Sequence, residues 1–378
     1  MNSFFDRLEA QLHAAAQAQT ADSSARLRVR WGWLRSGARI VPMLAALAVA
    51  VGVAVVAFTV AGHAHRVGSS SPSAKRATTS AARPSNPFTI VARYSAASLG
   101  LNRPANLAIG PDGNLYVTDA AQHVTVISAE GKVLRRWGRP GKGPGEFNFV
   151  SREPGGRGVA AGIAVGADGR VYVDDSGNAR VEVFSSTGRF IREFGRFRSG
   201  RGQILFSIYL AVDTSGNVYL ADDQKEMLSK YSPTGVIEWT IGGAAATDPD
   251  LVGHFHFSSS SIDPHGRLVM ANDDAQRVLY ISPTGHKVDA FGAPGEFRGG
   301  ACDATVDGNG DTFVGSCQEP LLSPHYAEVF NRTHHLIGEW YPSPMGFSPQ
   351  FGPHGEVFTL GEHGSILRLN VALLGIRS

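Results

Sequence analysis

From residue 88 to the end of the chain, apolar residues come in short alternating runs broken by turns, and the runs repeat. One unit is an apolar strand, a turn of the type Asp-x-Gly, and a second strand reading Leu/Val–Tyr/Phe–Val. A polar loop that starts at Asp follows, then a third strand, a Thr-Gly type turn and a fourth strand ending aromatic–Gly. The first copy runs from Leu107-Ala108-Ile109 through Leu115-Tyr116-Val117 and Val124–Ile127 to Trp137-Gly138. The second runs from Ile163-Ala164-Val165 through Val171-Tyr172-Val173 to Phe194-Gly195. Later copies carry Val218-Tyr219-Leu220, Leu268-Val269, Thr312-Phe313-Val314 and Val357-Phe358. Period-two runs of this length, bounded by turn residues, predict strands rather than helices.

The first-turn glycines Gly113, Gly169, Gly216, Gly266, Gly310 and Gly355 are spaced 56, 47, 50, 44 and 45 residues apart. Six units of four short strands predict an all-β, six-bladed β-propeller, not a sandwich. The sixth unit reaches the end of the chain with three strands. Phe88 to Ser95 (FTIVARYS) precedes the first unit without a blade of its own. It is expected to supply the missing fourth strand, so that the ring closes and open sheet edges disappear.

This pattern resembles NHL repeats, over about 280 residues, and the phrases GKGPGEFNF (141–149) and NARVEVF (178–184) are similar to that family. The resemblance implies a six-bladed propeller but no one activity, because propellers of this type include protein binders, RNA binders and a few enzymes. The family's ubiquitin-ligase members carry a RING, which two cysteines cannot build. One NHL-like enzyme, the peptidyl-hydroxyglycine lyase, holds zinc with histidines at its axis. Propeller lactonases of the gluconolactonase type use a Glu/Asn/Asp calcium site. The resemblance therefore leaves a metal-dependent hydrolase or lyase as the alternative to a binding scaffold.

The chain ahead of the repeats has a different pattern. Residues 40–62 (IVPMLAALAVAVGVAVVAFTVAG) carry no charge and, as a helix, span about 34 Å, enough for a bilayer core. A cleaved signal peptide has a shorter apolar core and a shorter leader, so an uncleaved single-pass anchor is expected. Arg26, Arg28, Arg30, Arg35 and Arg39 lie just before the span, which favours a cytoplasmic N-terminus and an extracytoplasmic propeller. Within residues 1–39, Phe4, Leu8 and Leu12 fall on one face of a short amphipathic helix. This opening resembles the N-termini of actinobacterial single-pass membrane proteins. Residues 63–87 are rich in Ser, Ala and Pro and read as a linker. The domain plan is therefore 1–39, 40–62, 63–87 and 88–378.

Charge changes the picture once. The first 87 residues hold ten Lys/Arg against Asp6, Glu9 and Asp22, and the remainder is net acidic at −5. A net acidic propeller lacks the clustered cations that phosphate binding needs, so no nucleic-acid partner is expected. The expected partners are the membrane and a protein, peptide or envelope ligand.

On a propeller, the loops from strand two to three and from strand four to the next blade share one face around the channel, and that face is the default ligand site. The residues expected there are Asp119, His123, Asn148, Asp174, Asp175, Asn178, Asp222, Asp223, His256, Asp273, Asp274, Arg298 and His325. The acidic pairs could bind metal. However, an Asp that recurs with the period reads as a turn former, and Arg180 and Arg277 read as ties between blades. His254 and His256 replace Glu146 and Asn148 of the second-copy phrase, and His-x-His on a strand puts both imidazoles on one face, as zinc would need. No cofactor is predicted outright; zinc or calcium are the metals this chemistry admits. Cys302 and Cys317 bracket the first turn of the fifth unit, where a disulfide suits an oxidising exterior. Asn331-Arg332-Thr333 matches a glycosylation triplet but reads as a turn. No phosphate loop, nucleophile elbow or His-Glu-x-x-His motif is present in the sequence.

Overall fold

The computed structural model describes residue 86 and residues 88–149, 161–195, 204, 207–222, 225–316, 325–343 and 349–371. The head, the apolar run 40–62 and the linker up to residue 85 lie outside the described residues. Among the described residues no helix is long and apolar enough to cross a membrane.

Six four-stranded antiparallel sheets follow one another along the chain. Blade one is β2 (Pro104–Ile109), β3 (Leu115–Asp119), β4 (His123–Ile127) and β5 (Val133–Trp137). Blade two is β6 (Ile163–Val165), β7 (Val171–Asp175), β8 (Arg180–Phe184) and β9 (Phe190–Phe194). Blade three is β10 (Ser207–Val212), β11 (Val218–Asp222), β12 (Met227–Tyr231) and β13 (Ile237–Gly242). Blade four is β14 (Phe255–His256), β15 (Leu268–Asn272), β16 (Arg277–Ile281) and β17 (Lys287–Phe291). Blade five is β18 (Asp303–Val306), β19 (Thr312–Gly315), β20 (His325–Phe330) and β21 (Leu336–Ser343).

Blade six is built from both ends of the repeat region. Its first three strands are β22 (Gln350–Phe351), β23 (Val357–Leu360) and β24 (Ile366–Val371). The fourth is β1 (Phe88–Tyr94), which pairs antiparallel with β24 from Phe88 opposite Val371 to Tyr94 opposite Ile366. The segment that the sequence left without a blade thus closes the ring.

The repeated aromatic of the second strand has a packing role. Tyr116, Tyr172, Tyr219, Phe313 and Phe358 are buried between neighbouring sheets. The core consists of six apolar clusters, one at each junction of adjacent blades. The cluster of Leu107, Leu115, Val117, Ile127, Phe358 and Ile366 joins blade six to blade one. A blade cannot bury both of its faces alone, so burial is shared around the ring. The first-turn glycines hold φ between +73° and +85°, a region that costs glycine little.

Each blade's first strand ends at the turn leading to its second. The channel therefore has two ends, one ringed by these first turns and one ringed by the loops between second and third strands. Phe88 and Val371 face each other at the first-turn end.

Candidate metal centre at the channel mouth

The first-turn end opens into a cavity of about 580 Å³ whose wall includes Ile109, Val165, Val212, Ile262, Val306 and Phe351, one from each blade. Its two acids are already committed. Asp263 accepts the His265 and Arg267 backbone N–H groups and the Arg267 side chain. Asp307 accepts from the Asn309 and Asp311 backbones. Reactive groups gather at the other end.

There the acids divide into two sets. The residues that close the second strands are Asp119, Asp175, Asp222 and Asn272. The expected recurring Asp is thus Asp119, Asp175 and Asp222, while Asp174 and Asp273 each lie one residue out of register. In blade two the doubled Asp174-Asp175 hid the one-residue offset; in blade four Asn272 holds the position and Asp273 follows it. The residues in register are turn formers. Asp119 is fully buried and accepts from the backbone N–H groups of Asn102, Ala121 and His123. Asp222 accepts from Lys225 N at 3.2 Å. Asp175 accepts from Asn148 N at 2.7 Å, from the Asn178 amide at 2.7 Å and from Arg180 Nε at 2.9 Å.

Arg180 extends that last network across the blade junction. Its guanidinium donates to the carbonyls of Gly143 and Glu146, which precede blade two, and to Glu193. Asn178 donates to the Gly141 carbonyl. Arg277 lies 3.6 Å from Asp250 in the segment before blade four. Both arginines fasten the segment that feeds their own blade. Gln122 and Gln276 accept from Phe149 N and Ala301 N of the next blade's leading segment. His123 lies 3.7 Å from Asp119. Arg298 is engaged by Glu339 at 2.8 Å, and its backbone N–H by Glu328.

Asp174 and Asp273 stand outside the repeat. Asp174 is buried and accepts from Ser207 Oγ at 2.7 Å, and burial beside Asp175 and Asp222 raises its pKa well above the carboxylate range. Its side chain is fully buried. Asp273 is part of a cluster. His256 stacks on Tyr209 of blade three, with ring centroids 4.6 Å apart. Its Nδ1 lies 2.7 Å from the backbone carbonyl of Cys302, which leads into blade five. That bond is satisfied only if Nδ1 carries the proton, which leaves the Nε2 lone pair free. Nε2 lies 3.9 Å from Asp273 Oδ2. The other oxygen, Asp273 Oδ1, is buried and has no hydrogen-bond partner. Burial raises the Asp273 pKa, and His256 partly offsets the rise.

His254 belongs to a second cluster that shares Asp273 with the first. Its Nδ1 lies 2.8 Å from Asp274 Oδ2, which also accepts the His254 backbone N–H. The ligand atoms of His254, Asp273 and Asp274 lie within 4.8 Å of one another. Three blades therefore converge on one histidine, which has one ring nitrogen oriented by a carbonyl and the other facing a carboxylate. Zinc-binding histidines take this arrangement, with the second nitrogen fixed by an outer partner.

Other expected site residues lie apart from this cluster. Asp223 and Cys317 are outside the described residues. Cys302 is disulfide-bonded. His325 begins β20 opposite Ser343. Asn331 accepts from Thr333 N and His335 N, so the glycosylation triplet is a turn.

The sequence reading passed over Tyr209, the Cys302 carbonyl and two buried glutamates. Burial pushes Glu182 and Glu328 up to about 7. Each accepts a backbone N–H at a Gly-Glu-Phe segment, from Gly145 that opens one and from Arg298 that follows the other. Their signal was present in the sequence, since each is a charge in an otherwise apolar third strand, VEVF and AEVF.

No family model matches this chain. Over 134 residues it is 25% identical to the NHL-containing protein brain tumor of Drosophila melanogaster, an alignment that takes in 35% of this chain and 12% of that protein. The chain is a six-bladed propeller with an NHL-type relative. Among solved structures, a streptogramin B lyase aligns over 75% of this chain and 98% of its own, at 13% identity and a TM-score of 0.48. A catalytically inactive virginiamycin B lyase from Staphylococcus aureus with quinupristin aligns over 75% and 99%, at 13% identity and a TM-score of 0.49. At these identities the likeness concerns the fold alone.

Proposed function

We propose that this protein is a membrane-anchored, extracytoplasmic propeller that binds a protein, peptide or envelope ligand at its loop-rich mouth through a divalent cation. The cation sits between His256 Nε2 and Asp273, with His254 and Asp274 alongside. The observation that carries this reading is the seat itself. His256 has Nδ1 committed to the Cys302 carbonyl and Nε2 at 3.9 Å from a carboxylate whose other oxygen is unpartnered.

Imidazole favours zinc over calcium, which prefers six to eight oxygens. Titration calorimetry on the full chain tests the reading. Zinc is expected to bind with about one equivalent and calcium weakly, and His256→Ala is expected to weaken zinc about 100-fold. Absence of binding for both metals would overturn the proposal.

A second reading follows from the same seat. A zinc held by three side chains keeps a position for water or substrate, which is the arrangement of a hydrolase or lyase. Turnover of a lactone or peptide substrate by the zinc-loaded protein, abolished in His256→Ala, would select it.

A further inference from the structure

Cys302 meets the cation seat twice. Its carbonyl orients the His256 ring at 2.7 Å. Its Sγ lies within 4.8 Å of the ligand atoms of both His256 and Asp273. Ligands on a tetrahedral zinc stand about 3.3–3.8 Å apart, given bonds of about 2.0 Å to nitrogen or oxygen and 2.3 Å to sulfur. The 3.9 Å between His256 Nε2 and Asp273 Oδ2 is close to that spacing. In the oxidised protein the sulfur is held in a disulfide, and a disulfide sulfur is a poor ligand where a thiolate is a strong one.

We infer that the seat is a redox-gated zinc site, in which reduction of the Cys302 disulfide releases a thiolate that joins His256 and Asp273 on the metal. This rests on the cation reading of the His256–Asp273 pair. The chemistry balances through thiol–disulfide exchange. A dithiol reductant gives two electrons and two protons to the protein disulfide and becomes a disulfide itself. Cys302 then exchanges its thiol proton for the zinc–sulfur bond, and that proton goes to solvent. In the oxidised protein the seat offers nitrogen and oxygen only, and zinc is held less tightly than in the reduced protein. In the reduced protein it offers nitrogen, oxygen and sulfur.

The sequence contains one other cysteine, Cys317, so a single substitution mimics reduction. Cobalt(II) replaces zinc as a probe on the full chain, because a thiolate ligand gives it a near-ultraviolet charge-transfer band. The expected result is a band in wild type after dithiothreitol treatment and removal of the reductant, and in Cys317→Ala without any reductant. Oxidised wild type and reduced Cys302→Ser should show none. Affinity should rise at least about tenfold on reduction. Circular dichroism confirms that each variant is folded, and reduced wild type gives the same reading if Cys317→Ala is not. Cobalt binding that is equal in both redox states and without the band would overturn the thiolate while keeping the cation seat. Failure of cobalt to bind in either state would overturn both.

Discussion

The segments that lead into blades two and four are variants of one phrase, and they have opposite consequences. Before blade two the chain reads Gly-Glu-Phe-Asn-Phe (145–149), and before blade four Gly-His-Phe-His-Phe (253–257). The phenylalanines Phe147, Phe149, Phe255 and Phe257 are buried in both. The polar positions differ. Glu146 folds back on its own loop, accepting from Arg139 and from the Lys142 and Gly143 backbones, and Asn148 is locked to Asp175. The Glu146 carboxylate and the Asn148 backbone are thus used in holding the junction. In blade four His256 is oriented from outside by Cys302 and faces an acid that the repeat does not require. A scaffold that satisfies itself in one blade leaves chelating groups unspent in another.

This contrast can be broken from either side. The largest effect is expected at Arg180, which touches Asp175, Glu182 and Glu193 and two carbonyls. Removing one partner of a buried charge network costs about 3–5 kcal/mol, so Arg180→Ala should lower stability by that amount in denaturant titration. A loss under about 1 kcal/mol would show that the blade-two junction does not depend on it.

The next effect concerns pH. Glu182 and Glu328 rise from an ordinary 4.5 to about 7 through burial. Their neutral forms are favoured in the fold, so their contribution is fully present below pH 4.5 and is lost as pH rises through 7. Stability should fall by about 1–3 kcal/mol per group across that window, and Glu182→Gln with Glu328→Gln should flatten the profile. An unchanged profile in the double variant would assign the pH dependence elsewhere.

The smallest stability effect, and the sharpest functional one, is expected from rewriting blade four as blade two. His254→Glu with His256→Asn keeps both phenylalanines and should change stability by no more than about 1 kcal/mol. The variant should lose the cation seat.

Much of the fold was legible because the burial pattern repeats. The turn glycines, the second-strand aromatics and the orphan strand at residue 88 each correspond to an observed element. The site was legible only where it broke the repeat, as at His254 and His256. Two things were hidden. In blade two the doubled Asp174-Asp175 masked which acid closes the second strand, since one residue of slippage leaves an Asp in either register, and in blade four an Asn holds that position with Asp273 after it. Tyr209 and the Cys302 carbonyl reach His256 from blades three and five, across 46 to 47 residues of chain, and no local pattern records such contacts.

The central claim is that the blade-four mouth holds a divalent cation where its blade-two counterpart cannot. Elemental mass spectrometry of the full chain, purified without chelators, tests it directly. The account predicts about one equivalent of zinc in wild type and loss of that metal in the folded His254→Glu/His256→Asn protein. Metal-free wild type, or equal metal in both proteins, would contradict it.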